Sequence, residues 1–157
     1  MSSNLSRIPA GSRERFLPLL LLADESGQQV RSYMESGDLY SYSLGEGTVV
    51  GMILAIALEP GVIELKVVAV EPEHQEQGIG KRMLEDVLTE LRTRGYKRVI
   101  VGTANAAIGQ LAYYQKAGFR LLRIERDFFS PARGYPEIMV DHGIQLRDMV
   151  WMEIVWS

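Results

Sequence analysis

The sequence predicts an α/β fold, a mixed sheet with helices packed on it. Three observations carry this. Two runs rich in Val, Ile and Leu, Thr48 to Leu58 and Val62 to Val70, flank Glu59-Pro60-Gly61, as buried strands joined by a turn do. Met83, Leu84, Val87, Leu88 and Leu91 recur at helical period on one face, with Arg82, Glu85, Asp86, Glu90 and Arg92 on the other. Strand and helix signals then alternate toward the C-terminus, the pattern of helices crossing over a sheet.

The first third reads as helical. Pro18 suits a first helical turn, where its missing N–H is not needed. Ser26-Gly27-Gln28-Gln29 has the spacing of a capping box, predicting a helix to about Met34 that stops at Gly37. Asp38 to Leu44 alternates as a strand, and Gly45-Glu46-Gly47 reads as a hairpin turn into Thr48. After Val70 and Glu71-Pro72 a helix is expected from about Gly78, closed by Arg92, Arg94 and Gly95, the cationic last turn and glycine stop of a helix end. Arg98 to Val101 reads as a strand, Ala106 to Ala117 as a helix stopped by Gly118, and Phe119 to Glu125 as a strand. Ser130 to Gly143, with Pro131, Gly134 and Pro136, reads as loop, and Gln145 to Trp156 as a last strand.

Composition narrows the function. The 157 residues fit one domain over 1–157. Seventeen Lys and Arg against twenty Asp and Glu leave a net charge of −3, a poor basis for phosphate-driven nucleic-acid binding. The absence of cysteine excludes disulfides, thiolate metal sites and a catalytic thiol. His74 and His142 are the only histidines, so no His-rich metal site is expected. Met1 to Arg7 lacks the apolar stretch of a signal peptide. The longest apolar run, Phe16 to Ala23, is far short of the roughly 20 residues of a membrane span. The expected location is the cytoplasm.

The informative stretch is the strand Leu65 to Val70, a turn, and then Gln75-Glu76-Gln77-Gly78-Ile79-Gly80-Lys81 opening a helix. Free N–H groups and the dipole at a helix start attract phosphate, glycines let it approach, and Lys81 adds charge. A P-loop would need Gly at position 75 and Ser or Thr at 82, where Gln75 and Arg82 stand. A Rossmann fingerprint would need Gly at 83, which is Met83. Both fail, which disfavours a nucleotide-phosphate enzyme, a reading that tight binding of ATP in preference to CoA would revive.

The remaining Gln-x-x-Gly-x-Gly pattern resembles the acyl-CoA-binding signature of the GNAT N-acetyltransferases. Asn105, followed by Leu111-Ala112-Tyr113-Tyr114-Gln115-Lys116-Ala117-Gly118-Phe119, is similar to that family's second segment. The match spans about residues 48 to 125. An acid at Glu76, where members often carry Gly or a basic residue, requires that side chain to point to solvent. The tail from Asp127-Phe128-Phe129 to Arg147-Asp148-Met149 looks like a bacterial subgroup whose acceptor is unassigned.

The resemblance implies a mixed sheet of six to seven strands with about four helices, opened near Val70 to admit the cofactor. It implies that Gln75, Glu76, Gln77, Gly78, Ile79, Gly80 and Lys81 bind the pyrophosphate through backbone N–H groups. The main chain of Val68, Ala69 and Val70 would meet the pantetheine arm, an N–H near Val70 polarising the thioester carbonyl. Asn105 either hydrogen-bonds that arm or caps the following helix. Tyr114 would face the leaving sulfur. Full proton transfer from a phenol to a thiolate is uphill by roughly 2 kcal/mol, so a hydrogen bond is the expected contribution. Tyr113, about 100° round the helix, should matter less.

An alkyl ammonium must lose a proton before it attacks. Alternation puts Glu64, Lys66, Val68 and Val70 on one strand face, which makes Glu64 the candidate base, with Glu71, Asp148 and Glu153 as rivals. His74 reads as an exposed loop residue. His142 is either exposed or at the acceptor site. Phe128, Phe129, Tyr135, Trp151 and Trp156 form an acceptor wall, a dimer surface or core. The expected activity is transfer of an acetyl group from acetyl-CoA to a primary amine, on a small molecule or a peptide. It would run by direct attack in a ternary complex, since no cysteine exists to carry the acyl group. No metal is implied, and a homodimer is compatible. The alternative is a non-catalytic acyl-CoA-binding or protein-interaction module.

Overall fold

The computed structural model describes residues 4–24, 27–45, 47–75 and 77–157. Their elements run β1 (Leu5–Ile8), α1 (Leu17–Leu20), α2 (Gly27–Tyr33), β2 (Asp38–Leu44), β3 (Thr48–Glu59), β4 (Val62–Val70), α3 (Ile79–Thr93), β5 (Arg98–Ala104), α4 (Ile108–Lys116), β6 (Arg120–Glu125), β7 (Val140–Asp141), β8 (Ile144–Gln145) and β9 (Met149–Val155). Seven strands form one mixed sheet in the order β1-β2-β3-β4-β5-β9-β6, and β7 pairs only with β8. Every neighbouring pair is antiparallel except β4 and β5. The mixed sheet with four helices is the expected class.

Each face of the sheet carries its own core. On one, Met83, Leu84, Val87 and Leu91 of α3 are fully buried against Ile53, Ile63, Leu65, Val99 and Met152. This is the helical stripe read from the sequence, each side chain contributing about 2 kcal/mol by leaving water. On the other, Leu19 and Leu20 of α1 and Val30 and Tyr33 of α2 cover Leu39, Met52, Leu54, Val67 and Ala69. Arg13, itself buried, ties the N-terminal segment together. Its guanidinium donates to the carbonyls of Ile8, Met34, Ser36 and Gly37 at 2.8–3.2 Å.

The structure departs from the sequence reading in four places. The first third is not a helical pair alone: it opens with edge strand β1, and α1 is a single turn after a 3₁₀ turn at Glu14–Phe16. Of the expected capping box, Ser26 lies outside the described residues, as does Glu46 of the hairpin turn. α2 ends at Tyr33, and Gly37 turns the chain into β2 with φ +61°. Within the expected tail loop, β7 and β8 form a hairpin around His142 and Gly143, and the last strand is β9 rather than the whole of 145–156.

The fourth departure bears on the site. β3 and β4 slip register between Ala55↔Leu65 and Leu54↔Val67, leaving Lys66 as the extra residue of a β-bulge. The bulge reverses the alternation. Ile63 and Leu65 face the α3 core, whereas Val67 and Ala69 face the α1–α2 core. Glu64 therefore does not share a face with Val68 and Val70, as strict alternation had it. It points to the α1–α2 side, where the Lys66 ammonium lies 5.1 Å from the Tyr33 ring centre, while Val68 and Val70 pack toward α3.

Candidate active site

The bulge coincides with a parting of the sheet. β4 and β5 pair from Val62↔Arg98 to Leu65↔Val101 and no further, although β4 runs on to Val70 and β5 to Ala104. Beyond that point the ladder to β3 continues, and the Glu71 N–H donates to the Val50 carbonyl at 2.8 Å. Antiparallel hydrogen bonds alternate along a strand, so the main-chain groups of Val68 and Val70 face the gap instead. The Gln75 amide donates to the Val70 carbonyl at 3.0 Å, closing one end of that gap. On β5, Gly102 sits where a Cβ would lie 2.8 Å from the Met149 sulfur and 2.9 Å from the Trp151 ring, so the strand can pass these side chains only as glycine.

The gap opens into a cavity of about 700 Å³, within the roughly 300–1,000 Å³ of ligand sites. Of the expected site residues, Glu64, Val68, Ala69, Val70, Gln75 and Tyr114 line it together. Gly78, Ile79, Gly80 and Lys81 lie beyond its end, at the start of α3. Gly78 is the N-cap at φ +75°, a left-handed conformation that favours glycine, and no side chain among the described residues caps the helix. The N–H groups of the first turn are thus left to a ligand or to water. Ile79 is buried, and the Gln77 amide donates to the Glu73 carbonyl at 3.3 Å. Glu76 lies outside the described residues.

Tyr114 is buried in the α3-side core, edge-on to Phe119, and its ring lines the cavity. Its hydroxyl has no hydrogen-bond partner among the described residues. Burial, aided by Tyr113, raises its pKa far above the ordinary phenol value, so the group stays a neutral donor. The Tyr113 hydroxyl donates to the Gly80 carbonyl at 2.6 Å and braces the start of α3. Nothing in the sequence signalled this contact across 33 positions.

Glu64 is partly buried. Burial raises its pKa above the ordinary carboxylate range, and Lys66 offsets part of that. Its carboxylate has no hydrogen bond or ion pair among the described residues. The rivals are placed otherwise. Glu153 pairs with Arg98 at 2.6 Å, Asp148 accepts from the Asp127 N–H at 2.9 Å, and neither they nor Glu71 line the cavity.

Asn105 does not cap α4, whose N-cap is Ala107. Its carboxamide instead holds the tail. The Nδ2 group donates to the Gln145 carbonyl at 3.1 Å, and Oδ1 accepts from the N–H groups of Arg147 and Asp148 at 2.9 and 3.1 Å. The tail so held supplies Phe128, Phe129 and Tyr135 to the cavity lining, and Trp151, Tyr33 and Asp24 line it as well. Trp156 is not part of it and stacks near Arg92. His74 is only part-exposed, its Nδ1 buried with no hydrogen-bond partner among the described residues, and His142 is exposed at φ +53° in the hairpin turn. No group of three or more His, Cys, Asp or Glu among the described residues could hold a metal ion. No described helix is long and apolar enough to cross a membrane.

Residues 17–119 match the family model of the Acetyltransferase (GNAT) family. The chain belongs to the GNAT family. It is an acyltransferase, as its relatives are. The GNAT chain is 36% identical over 152 residues to the uncharacterized N-acetyltransferase YvbK of Bacillus subtilis strain 168, covering 96% of each. It is 32% identical to a B. subtilis acetyltransferase crystallised with CoA, with TM-score 0.88 and 98% and 99% of the two chains covered. A GNAT acetyltransferase from Elizabethkingia anophelis with acetyl-CoA bound is 33% identical, with TM-score 0.86 and the same coverage.

Proposed function

We propose that residues 1–157 work as one cytoplasmic acetyltransferase domain, which moves the acetyl group of acetyl-CoA directly to a primary amine in a ternary complex. The parting of β4 from β5 after Leu65↔Val101 carries this reading. It leaves the main chain of Val68 and Val70 without a neighbour strand, in line with the uncapped start of α3. An extended pantetheine arm supplies the missing hydrogen bonds, and the Val70 N–H polarises the thioester carbonyl. First-turn N–H groups and Lys81 hold the pyrophosphate.

The thioester supplies an activated acyl carbon, and the rest of the chemistry falls to this chain. Glu64 takes the ammonium proton, directly or through water. An amine of pKa about 10 binds that proton more tightly than an ordinary carboxylate by roughly 6 units, and the raised pKa of Glu64 narrows the gap. Tyr114 hydrogen-bonds the leaving sulfur. Removing one such donor costs on the order of 10–100-fold in rate, somewhat less than an oxyanion-hole donor.

Calorimetry with CoA, combined with thiol release from acetyl-CoA by wild type and Tyr114→Phe, tests the assignment. The variant should bind CoA as wild type does and turn over on the order of 10–100-fold more slowly. Binding without thiol release would instead favour a non-catalytic module, and unchanged turnover in the variant would remove Tyr114 from the mechanism.

A further inference from the structure

We infer that the acceptor is a monoamine carried on a flat apolar body, an arylalkylamine in chemical class, rather than a polyamine, an aminoglycoside or a peptide. The inference rests on the acetyl-transfer reading and concerns the other half of the same cavity.

The first observation is the state of the cavity's carboxylates. Among the described residues four line it: Asp24, Glu64, Glu125 and Asp141. Asp24 accepts from the Tyr33 hydroxyl at 2.8 Å. Glu125 accepts from the Trp151 indole at 3.1 Å and pairs with Arg133 at 2.8 Å. Asp141 lies 2.9 Å from His142. Glu64 alone has no such partner among the described residues. A polycation brings several ammonium groups, and each one left unpaired in a partly buried site costs several kcal/mol. The cavity has a counter-ion ready for one. Lys66 and Arg133 also line it and repel a second positive charge.

The second observation is the aromatic cluster that lines the same cavity as that carboxylate. Phe128, Phe129 and Tyr135 pack on one another with ring centres 5.0–6.2 Å apart. The Arg133 guanidinium closes the outer side, 4.4 Å from the Phe128 ring centre. Tyr33 joins the cluster to the carboxylate, since Glu64 and Tyr135 both act on it electrostatically. A surface of half-buried rings, beside which the Tyr33 hydroxyl and the Trp151 indole N–H are already paired, gains from an apolar ring and offers a peptide backbone few free groups to bond. In the transfer, the amine nitrogen forms the new bond to the acyl carbon and the C–S bond breaks. One ammonium proton goes to Glu64 before the attack, the sulfur leaves with the electron pair of the broken bond, and the second proton the nitrogen loses as it becomes an amide passes to that thiolate, giving the CoA thiol.

Thiol release at saturating acetyl-CoA, compared across 2-phenylethylamine, n-propylamine, spermidine, kanamycin and an alanine-terminated peptide, tests this. The expected order places phenylethylamine about tenfold or more above propylamine in kcat/KM, the worth of a buried apolar group. Spermidine, kanamycin and the peptide should lie about 100-fold or more below it. Phe128→Leu and Tyr135→Leu should each narrow the phenylethylamine-to-propylamine ratio, with melting and acetyl-CoA affinity checked in parallel. A preference for a polycation or the peptide, or propylamine matching phenylethylamine, overturns the acceptor inference, whereas no release with any amine by a protein that binds acetyl-CoA counts against the transfer reading. Loss of acetyl-CoA binding by the folded wild-type protein overturns the transfer reading beneath it.

Discussion

Burial holds the Glu64 carboxyl above the ordinary carboxylate range, and the same burial makes its ionised form a cost to the fold. The folded pKa lies above the unfolded one, so the native state keeps its proton longer. Stability from this group is fully present below the unfolded value, about 4.3, and is lost as pH rises through the folded value. Glu64→Gln keeps the shape and removes the charge. It should melt above wild type at pH 7, with the difference fading below about pH 4. The same change should slow turnover by roughly 10²–10⁴-fold and abolish the acid limb of the pH–rate profile. Melts and rates across pH 4–8 check both, and equal melting at pH 7 would contradict the placement. The residue type and strand of Glu64 were legible in the sequence, but its face was not. One extra residue at Lys66 reverses every side chain beyond it, and nothing in Leu65-Lys66-Val67 announces a bulge.

Elements with a full period were legible and short ones were not. α3 shows five apolar positions on one stripe between two glycines, and the chain folds there as read. β1 has four residues and β7 and β8 two each, too few to establish alternation. Their existence depends on partners: β1 on β2, and the β7–β8 hairpin on a turn with His142 and Gly143 at positive φ. Asn105 shows the same limit. Its residue type suggested a cap or a ligand to the cofactor arm, yet its carboxamide fastens the segment from Gln145 to Asp148 to the end of β5. Asn105→Ala frees two tail N–H groups worth about 1 kcal/mol each. The expected result is a melting point lower by about 4–8 °C and an acceptor KM raised about tenfold, with the Kd for CoA unchanged. A large loss of CoA affinity with an intact acceptor KM would instead support the cofactor-arm role.

At the scale of the whole molecule, the account depends on a sheet that is continuous on one side of β4 and open on the other. Strand and helix periodicity could bound this chain to an α/β fold, and the glycine-bearing loop could point to the family. The strand order β1-β2-β3-β4-β5-β9-β6, which sends the last strand between β5 and β6, had no local signal, because it is set by which edges remain unpaired. The cavity follows from that order. β9 fills the far side of β5 and the bulge at Lys66 lets β4 diverge, so the only strand-shaped vacancy inside the described sheet lies between Val68–Val70 and Gly102–Ala104. Amide hydrogen exchange at Val68 and Val70, measured residue by residue with and without CoA, reads that vacancy directly. If the pantetheine arm occupies it as an added strand, both amides should become protected on the order of tenfold or more, with smaller changes in β2 and β6. Unchanged exchange at both amides in a protein saturated with CoA would contradict the account.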